Sequence, residues 1–88
     1  MSNIEVLKFS ATWCGPCRML AQTLKGVEGI TEIDIDKDHE TPAKYGVRSV
    51  PLLVFLKDGV EVHRQSGNMP LSMYQSILTE INDSKEIK

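Results

Sequence analysis

The 88-residue sequence has only two cysteines and no long apolar run. A small secreted domain held together by disulfides normally carries about four cysteines or more, so this class is disfavoured. The longest apolar run spans residues 50–56, far short of the roughly 20 residues that a membrane-spanning helix needs. We therefore expect a protein that neither crosses a membrane nor relies on disulfides for its stability.

An excess of one charge is also lacking, because 10 basic and 12 acidic residues leave a net charge of −2. A nucleic-acid-binding surface needs an excess of Lys and Arg, so nucleic-acid binding is disfavoured. The first residues lack the basic flank, apolar stretch and cleavage site of a secretory signal, and we expect a cytoplasmic protein. Length and a hydrophobic content of 41% predict one globular domain over residues 1–88, working as a monomer.

Hydrophobic periodicity in the first half of the chain predicts two strands joined by a helix. Residues 4–9 are rich in strand formers, and Pro16 begins a helix whose apolar residues recur at helical spacing until Gly26 and Gly29 end it. Residues 30–36 alternate strictly between apolar and polar. This second strand should run parallel to the first, because a helix crosses between them.

The second half of the chain predicts a short helix, a hairpin and a final helix. Thr41 is the predicted N-cap of the short helix, and Asp-Gly at residues 58–59 favours a two-residue turn between strands 52–57 and 60–64. The final helix should begin near Pro70. Its predicted apolar face consists of Leu71, Tyr74, Ile77, Leu78 and Ile81. The expected class is therefore α/β, with the order βαβαββα and a four-stranded mixed sheet flanked by three helices.

The two cysteines are separated by two residues in Trp13-Cys14-Gly15-Pro16-Cys17, a spacing that suits dithiol chemistry. A disulfide there closes almost the smallest possible loop and stabilises the fold by only about 2 kcal/mol, even in the favourable entropic treatment. Cys14 should lie at the N-terminus of the predicted helix, where unpaired N–H groups and the helix dipole stabilise a thiolate. Cys17 should lie one helical turn further on, where its sulfur can bond that of Cys14.

Metal binding is a competing interpretation of these residues. The cysteines could form half of a zinc site, but His39 and His63, the other possible ligands, are 24 positions apart on separate elements. The acidic residues 34–40 begin like a calcium-binding loop, but His39 replaces its turn glycine and Tyr45 its last glutamate. We therefore expect no metal and no organic cofactor.

Trp-Cys-Gly-Pro-Cys after a strand resembles the signature of the thioredoxin family. Residues 45–51 resemble that family's approach to its cis-proline loop, residues 57–59 resemble its hairpin, and residues 66–68 fall where it has a third substrate-contacting loop. The resemblance extends from Val6 to the C-terminus. It implies a thioredoxin-like fold, reduction of disulfides in protein substrates, and a flavin-dependent thioredoxin reductase as the electron donor.

The same resemblance implies roles for individual residues. Cys14 becomes the exposed nucleophile and Cys17 the buried resolving thiol. The implied substrate-binding residues surround these two sulfurs: Trp13, Gly15, Pro16, Val50, Pro51 and Gly67. Pro51 is expected to be cis, and Trp13 to form a flat apolar wall, although burial in the core is the plainer interpretation of a tryptophan.

The sequence also departs from the family pattern. The family's first strand and helix are missing before Val6, the first long helix is about two turns shorter, and Gln22 replaces its kinking proline. The size is closer to that of a glutaredoxin, so a glutathione-reduced enzyme is one alternative. A thioredoxin-like binding subunit is another.

Lys8 and Glu32 fall where thioredoxins place a buried aspartate and a lysine, with the signs of charge exchanged. We predict a buried Lys8–Glu32 pair in which Glu32 accepts the proton of Cys17, because an isolated buried ammonium would be costly. The alternative is that both side chains are solvated and the pair contributes less than about 1 kcal/mol to stability.

Overall fold

Strands and helices alternate in the computed structural model, which describes residues 3–84. In chain order the elements are β1 (Ile4–Ser10), α1 (Gly15–Thr23), β2 (Ile30–Asp34), α2 (Glu40–Lys44), β3 (Leu52–Lys57), β4 (Val60–Ser66) and α3 (Leu71–Ser84). The strands form one sheet in the order β2-β1-β3-β4. β1 and β2 pair in parallel and the other two pairs are antiparallel. The predicted α/β class and βαβαββα order are confirmed.

The central strand β1 carries side chains into a core on each face of the sheet, because successive residues of a strand point to opposite faces. Val6 packs with residues of α1 and α3, including Leu20 and Tyr74. Leu7 and Phe9 pack on the other face. Lys8 and Ser10 share the face of Val6 and are the two buried polar residues of the strand. The strand that leads to the cysteines is therefore buried on both faces.

The hairpin between β3 and β4 has the predicted two-residue turn. Asp58 has a φ of 53° and Gly59 a φ of 86°, the left-handed conformations that such a turn requires at both positions. β4 extends two residues beyond the predicted end at residue 64, because Leu52 pairs with Ser66. This extension brings the end of β4 next to the start of β3.

The segment from β2 to α2 differs from its prediction. β2 ends at Asp34, two residues early, because the Asp34 carboxylate accepts a hydrogen bond from the backbone N–H of Asp36 at 2.9 Å and the chain turns. His39, rather than Thr41, is the N-cap residue of α2, and its side chain makes no capping hydrogen bond. The carboxylate of Asp38, one residue earlier, accepts hydrogen bonds from the backbone N–H groups of Glu40 and Thr41 at 3.0 and 3.1 Å. The bonds with Thr41 hold the pKa of the Asp38 carboxyl below its ordinary value.

The two longer helices, α1 and α3, lie close to their predicted positions. α1 ends at Thr23, before Gly26, and α3 begins at Leu71, directly after Pro70. Leu71, the first residue of α3, is exposed and does not pack in the core cluster with Tyr74, Ile77 and Ile81, so its assignment to the apolar face is wrong. Within residues 3–84, none of the helices is long and apolar enough to span a bilayer.

Candidate active site

Cys14 and Cys17 form a disulfide at the start of α1. Cys14 is the N-cap residue, with extended backbone angles, and its Sγ accepts a hydrogen bond from the backbone N–H of Cys17 at 3.1 Å. Pro16 occupies the first turn, where the absence of its N–H leaves no bond unmade. The sulfur of Cys14 is therefore positioned to be stabilised as a thiolate by a backbone donor and the helix dipole, as predicted.

Both cysteines are buried in this oxidised form. Cys14 is 5% exposed and Cys17 3% exposed, and they pack with Ala11. The prediction of an exposed Cys14 is wrong for the disulfide state, because the carbonyl oxygen of Val50 lies 3.8 Å from its Sγ and covers one side of it. Cys17 matches the prediction of a buried thiol.

Trp13 lies on the surface beside the disulfide and is 65% exposed. Its indole Nε1 donates a hydrogen bond to the carboxylate of Asp36 at 2.9 Å. The interpretation of Trp13 as a core residue is therefore wrong, and its role as an apolar wall beside the sulfurs stays a prediction of the family resemblance. Asp36 was missed as its partner, because it lies 23 residues away in the chain, in the acidic run that was considered for calcium binding.

The loop before β3 contacts the disulfide through the carbonyl oxygen of Val50. The Val50–Pro51 peptide bond is cis, as expected from the resemblance. The carbonyl oxygen of Pro51 accepts a hydrogen bond from the backbone N–H of Gly67 at 3.0 Å, so the two loops are tied together. Gly67 has a φ of 84°, which favours glycine. The disulfide, the Val50–Pro51 loop and Gly67 are thus connected by contacts.

Lys8 and Glu32 are neighbours across the parallel pair of β1 and β2. The Lys8 Nζ lies 3.9 Å from a carboxylate oxygen of Glu32, but the side chains are 8% and 62% exposed, respectively. The predicted buried pair is therefore correct for Lys8 and wrong for Glu32, because β2 is an edge strand whose side chains reach solvent. The same Glu32 oxygen accepts a hydrogen bond from the Ser10 hydroxyl at 3.0 Å.

A cavity of about 300 Å³ separates α1 from the edge of the sheet. Ser10, Cys17 and Glu32 all line it. The resolving cysteine and the carboxylate proposed from the sequence therefore border one space. Ser10 was not recognised from the sequence; the available signal was a second polar residue two positions after Lys8, on the same face of a buried strand.

The histidines considered as zinc ligands lie elsewhere. His39 precedes α2, where its ring contacts the backbone carbonyl of Asp36. His63 is on β4, where its ring is tilted against that of Phe55, with the ring centroids 5.5 Å apart. Within the described part of the chain, no three His, Cys, Asp or Glu side chains are grouped so that they could hold a metal ion.

A sequence model of the thioredoxin family matches residues 1–80. The chain belongs to the thioredoxin family. Thioredoxins of Staphylococcus epidermidis and Staphylococcus aureus are each 37% identical to it over 84 residues, which covers 88% of this chain and 81% of theirs. Together with the Cys14–Cys17 disulfide, this membership identifies a thiol-disulfide oxidoreductase.

Solved thioredoxin structures confirm the fold. Fasciola hepatica thioredoxin superposes with a TM-score of 0.79 at 35% identity, over 88% of this chain and 80% of that one. A mutant thioredoxin from Halobacterium salinarum superposes with a TM-score of 0.80 at 30% identity, over 85% and 71% of the two chains. The thioredoxin-like fold predicted from the sequence is therefore confirmed.

Proposed function

We propose that the chain is a single-domain protein disulfide reductase in which Cys14 attacks and Cys17 resolves. The Cys14 thiolate attacks one sulfur of a substrate disulfide, forms a mixed disulfide and releases the other substrate sulfur as a thiolate. Cys17 then attacks the Cys14 sulfur and the second substrate thiolate leaves. The substrate has gained two electrons, and the Cys14–Cys17 disulfide has formed.

The position of Cys14 carries this assignment. Its Sγ faces the backbone N–H of Cys17 at 3.1 Å from the N-cap of α1, a donor that stabilises a thiolate on Cys14. Cys17 lies inside the helix and has no such position. The asymmetry favours Cys14 as the first nucleophile and as the better leaving group when the disulfide is reduced again.

The substrate segment is proposed to bind in extended form between Trp13 and the Val50–Pro51 loop. Gly15 and Pro16 border the sulfurs, and Gly67 lies beyond Pro51. The exposed indole offers a rigid apolar surface, and the backbone of Val50 can pair with an extended peptide. Such contacts depend mainly on the backbone, which suits an enzyme with many protein substrates.

Glu32 is proposed to accept the proton of Cys17 during resolution, with Lys8 beside it as the counter-charge. Cys17 is 3% exposed, so its thiol has little direct access to bulk water. Glu32 lines the same cavity and is itself largely exposed, so it can pass the proton to solvent. The cavity is large enough to hold water between the two groups.

Electrons are proposed to come from a thioredoxin reductase in the cytoplasm, where the dithiol is kept reduced. The chain is proposed to act as a monomer without a cofactor of its own. Insulin reduction with thioredoxin reductase and NADPH tests this assignment. We expect turnover by the wild type and none by Cys14→Ser. Turnover with glutathione and glutathione reductase instead would favour a glutaredoxin-like enzyme, and no turnover with either donor would favour a binding subunit.

A further inference from the structure

Ser10 is a buried hydroxyl in an apolar part of β1. It is 6% exposed and lies between Phe9 and Ala11, which are also buried. Burying a hydroxyl is costly unless it is hydrogen-bonded, and Ser10 donates to a carboxylate oxygen of Glu32 at 3.0 Å. A hydroxyl bonded to a carboxylate makes a charge-assisted hydrogen bond, stronger than one between neutral groups. The Ser10 hydroxyl therefore restrains the Glu32 side chain, a long and flexible type of side chain, on the edge strand β2.

Glu32 lies between two cavities. The first, about 300 Å³, contains Cys17 and Ser10 in its lining. The second, about 240 Å³, contains Lys8 and Lys25. Glu32 lines both. The Glu32 oxygen that accepts the Ser10 hydrogen bond also lies 3.9 Å from the Lys8 Nζ, so the hydroxyl holds the carboxylate at the boundary of the two cavities, where it still lines the one that contains Cys17.

We propose that Ser10 is a positioning residue, which holds the Glu32 carboxylate at the cavity beside Cys17 for the resolving step. This inference rests on the proposed role of Glu32. As the Cys17 sulfur bonds to the Cys14 sulfur and the substrate thiolate leaves, the Cys17 proton passes to Glu32, directly or through water in the cavity. Ser10 keeps its own proton and acts only by orienting the acceptor.

The two steps can be timed separately with a peptide disulfide whose halves carry different fluorophores. Release of the first half reports attack by Cys14, and release of the second reports resolution by Cys17. We expect Ser10→Ala to slow resolution by about three- to tenfold, the loss of one hydrogen bond, and to change attack by less than about twofold. The unchanged attack rate also shows that the variant is folded.

Controls separate positioning from a general structural effect. Ser10→Thr and Ser10→Val have nearly the same shape but differ in the hydroxyl, so only Ser10→Thr should restore resolution, even if Ser10→Ala folds poorly. Thr31→Ala is the matched control, because the Thr31 hydroxyl donates to Glu5 at 3.3 Å between the same two strands, on the opposite face. It should leave both steps unchanged.

A double-mutant cycle with Glu32→Gln completes the test. If Ser10 acts through Glu32, adding Ser10→Ala to Glu32→Gln should slow resolution no further. The inference would be overturned if the two substitutions slowed resolution by factors that multiply in the double variant. Normal resolution in both Ser10→Ala and Ser10→Val would overturn it too. In either case, slow resolution in Glu32→Gln would leave the role of Glu32 intact. Normal resolution in Glu32→Gln would overturn the role of Glu32 together with this inference, but not the roles of the cysteines.

Discussion

The unequal burial of Lys8 and Glu32 predicts that their substitutions change stability in opposite directions. At 3.9 Å the attraction between the charges is worth about 4 kcal/mol at an effective dielectric constant near 20, and about 1 kcal/mol in water. Because Glu32 is 62% exposed, the true value lies toward the lower figure. Burial of the Lys8 ammonium costs several kcal/mol, so the attraction does not offset it.

Lys8→Met keeps the length of the side chain and removes the charge. The cavity beside Lys8 is lined by apolar residues, including Leu24, Val27 and Ile30, which a methionine can contact. We expect Lys8→Met to raise the free energy of unfolding by about 1 to 3 kcal/mol. Glu32→Gln should lower it by up to about 2 kcal/mol, because the buried ammonium loses its carboxylate.

Urea unfolding of the oxidised proteins, followed by circular dichroism, measures both effects. Lys25→Met is the matched control, since this lysine lines the same cavity but is exposed, and its substitution should change stability by less than about 0.5 kcal/mol. A Lys8→Met variant less stable than the wild type by more than about 1 kcal/mol would contradict this prediction, because the ammonium would then be a net stabilising group.

Three further predictions concern other sites. Cys17→Ser should attack substrates normally but accumulate mixed disulfides, visible on non-reducing gels; free turnover would contradict its resolving role. Trp13→Ala should slow insulin reduction about tenfold and leave the rate at which iodoacetamide alkylates Cys14 unchanged. An equal loss in both rates would show that Trp13 acts on the thiol rather than on substrate binding. Asp38→Ala should lower the melting temperature at neutral pH, because the Asp38 carboxylate bonds the first backbone N–H groups of α2. The pKa of Asp38 is lowered by folding, so this contribution is lost as the pH falls through the lowered pKa, and a difference that persists in strong acid would contradict a stabilising role for these bonds.

The sequence predicted the elements that depend on local signals. The Asp58-Gly59 turn, the start of α1 after Cys14 and the order of strands and helices follow from residues close together in the chain. The start of α2 was mispredicted because Thr41 suits an N-cap position by residue type, whereas the helix begins one residue earlier, at Glu40, where the Asp38 carboxylate accepts the first backbone N–H groups. Local chemistry therefore fixed the type of element better than its first residue.

Features of the site that depend on distant residues could not be predicted in this way. The exposure of Glu32 follows from the edge position of β2, which is a property of the whole sheet. The burial of Cys14 depends on Val50, 36 residues away, and the orientation of Trp13 on Asp36. The hydrogen bond from Ser10 to Glu32 depends on the pairing of β1 with β2. No local pattern around a single serine indicates a carboxylate partner, so this contact could not be predicted from the sequence.

The position of Cys14 at the start of α1 should make Cys14, and not Cys17, the reactive thiol. Treating the reduced protein with less than one equivalent of iodoacetamide at neutral pH, followed by peptide mass mapping, measures this preference directly. We expect the label almost entirely on Cys14, whose sulfur accepts the backbone N–H of Cys17. Equal labelling of the two cysteines, or preferential labelling of Cys17, would contradict it.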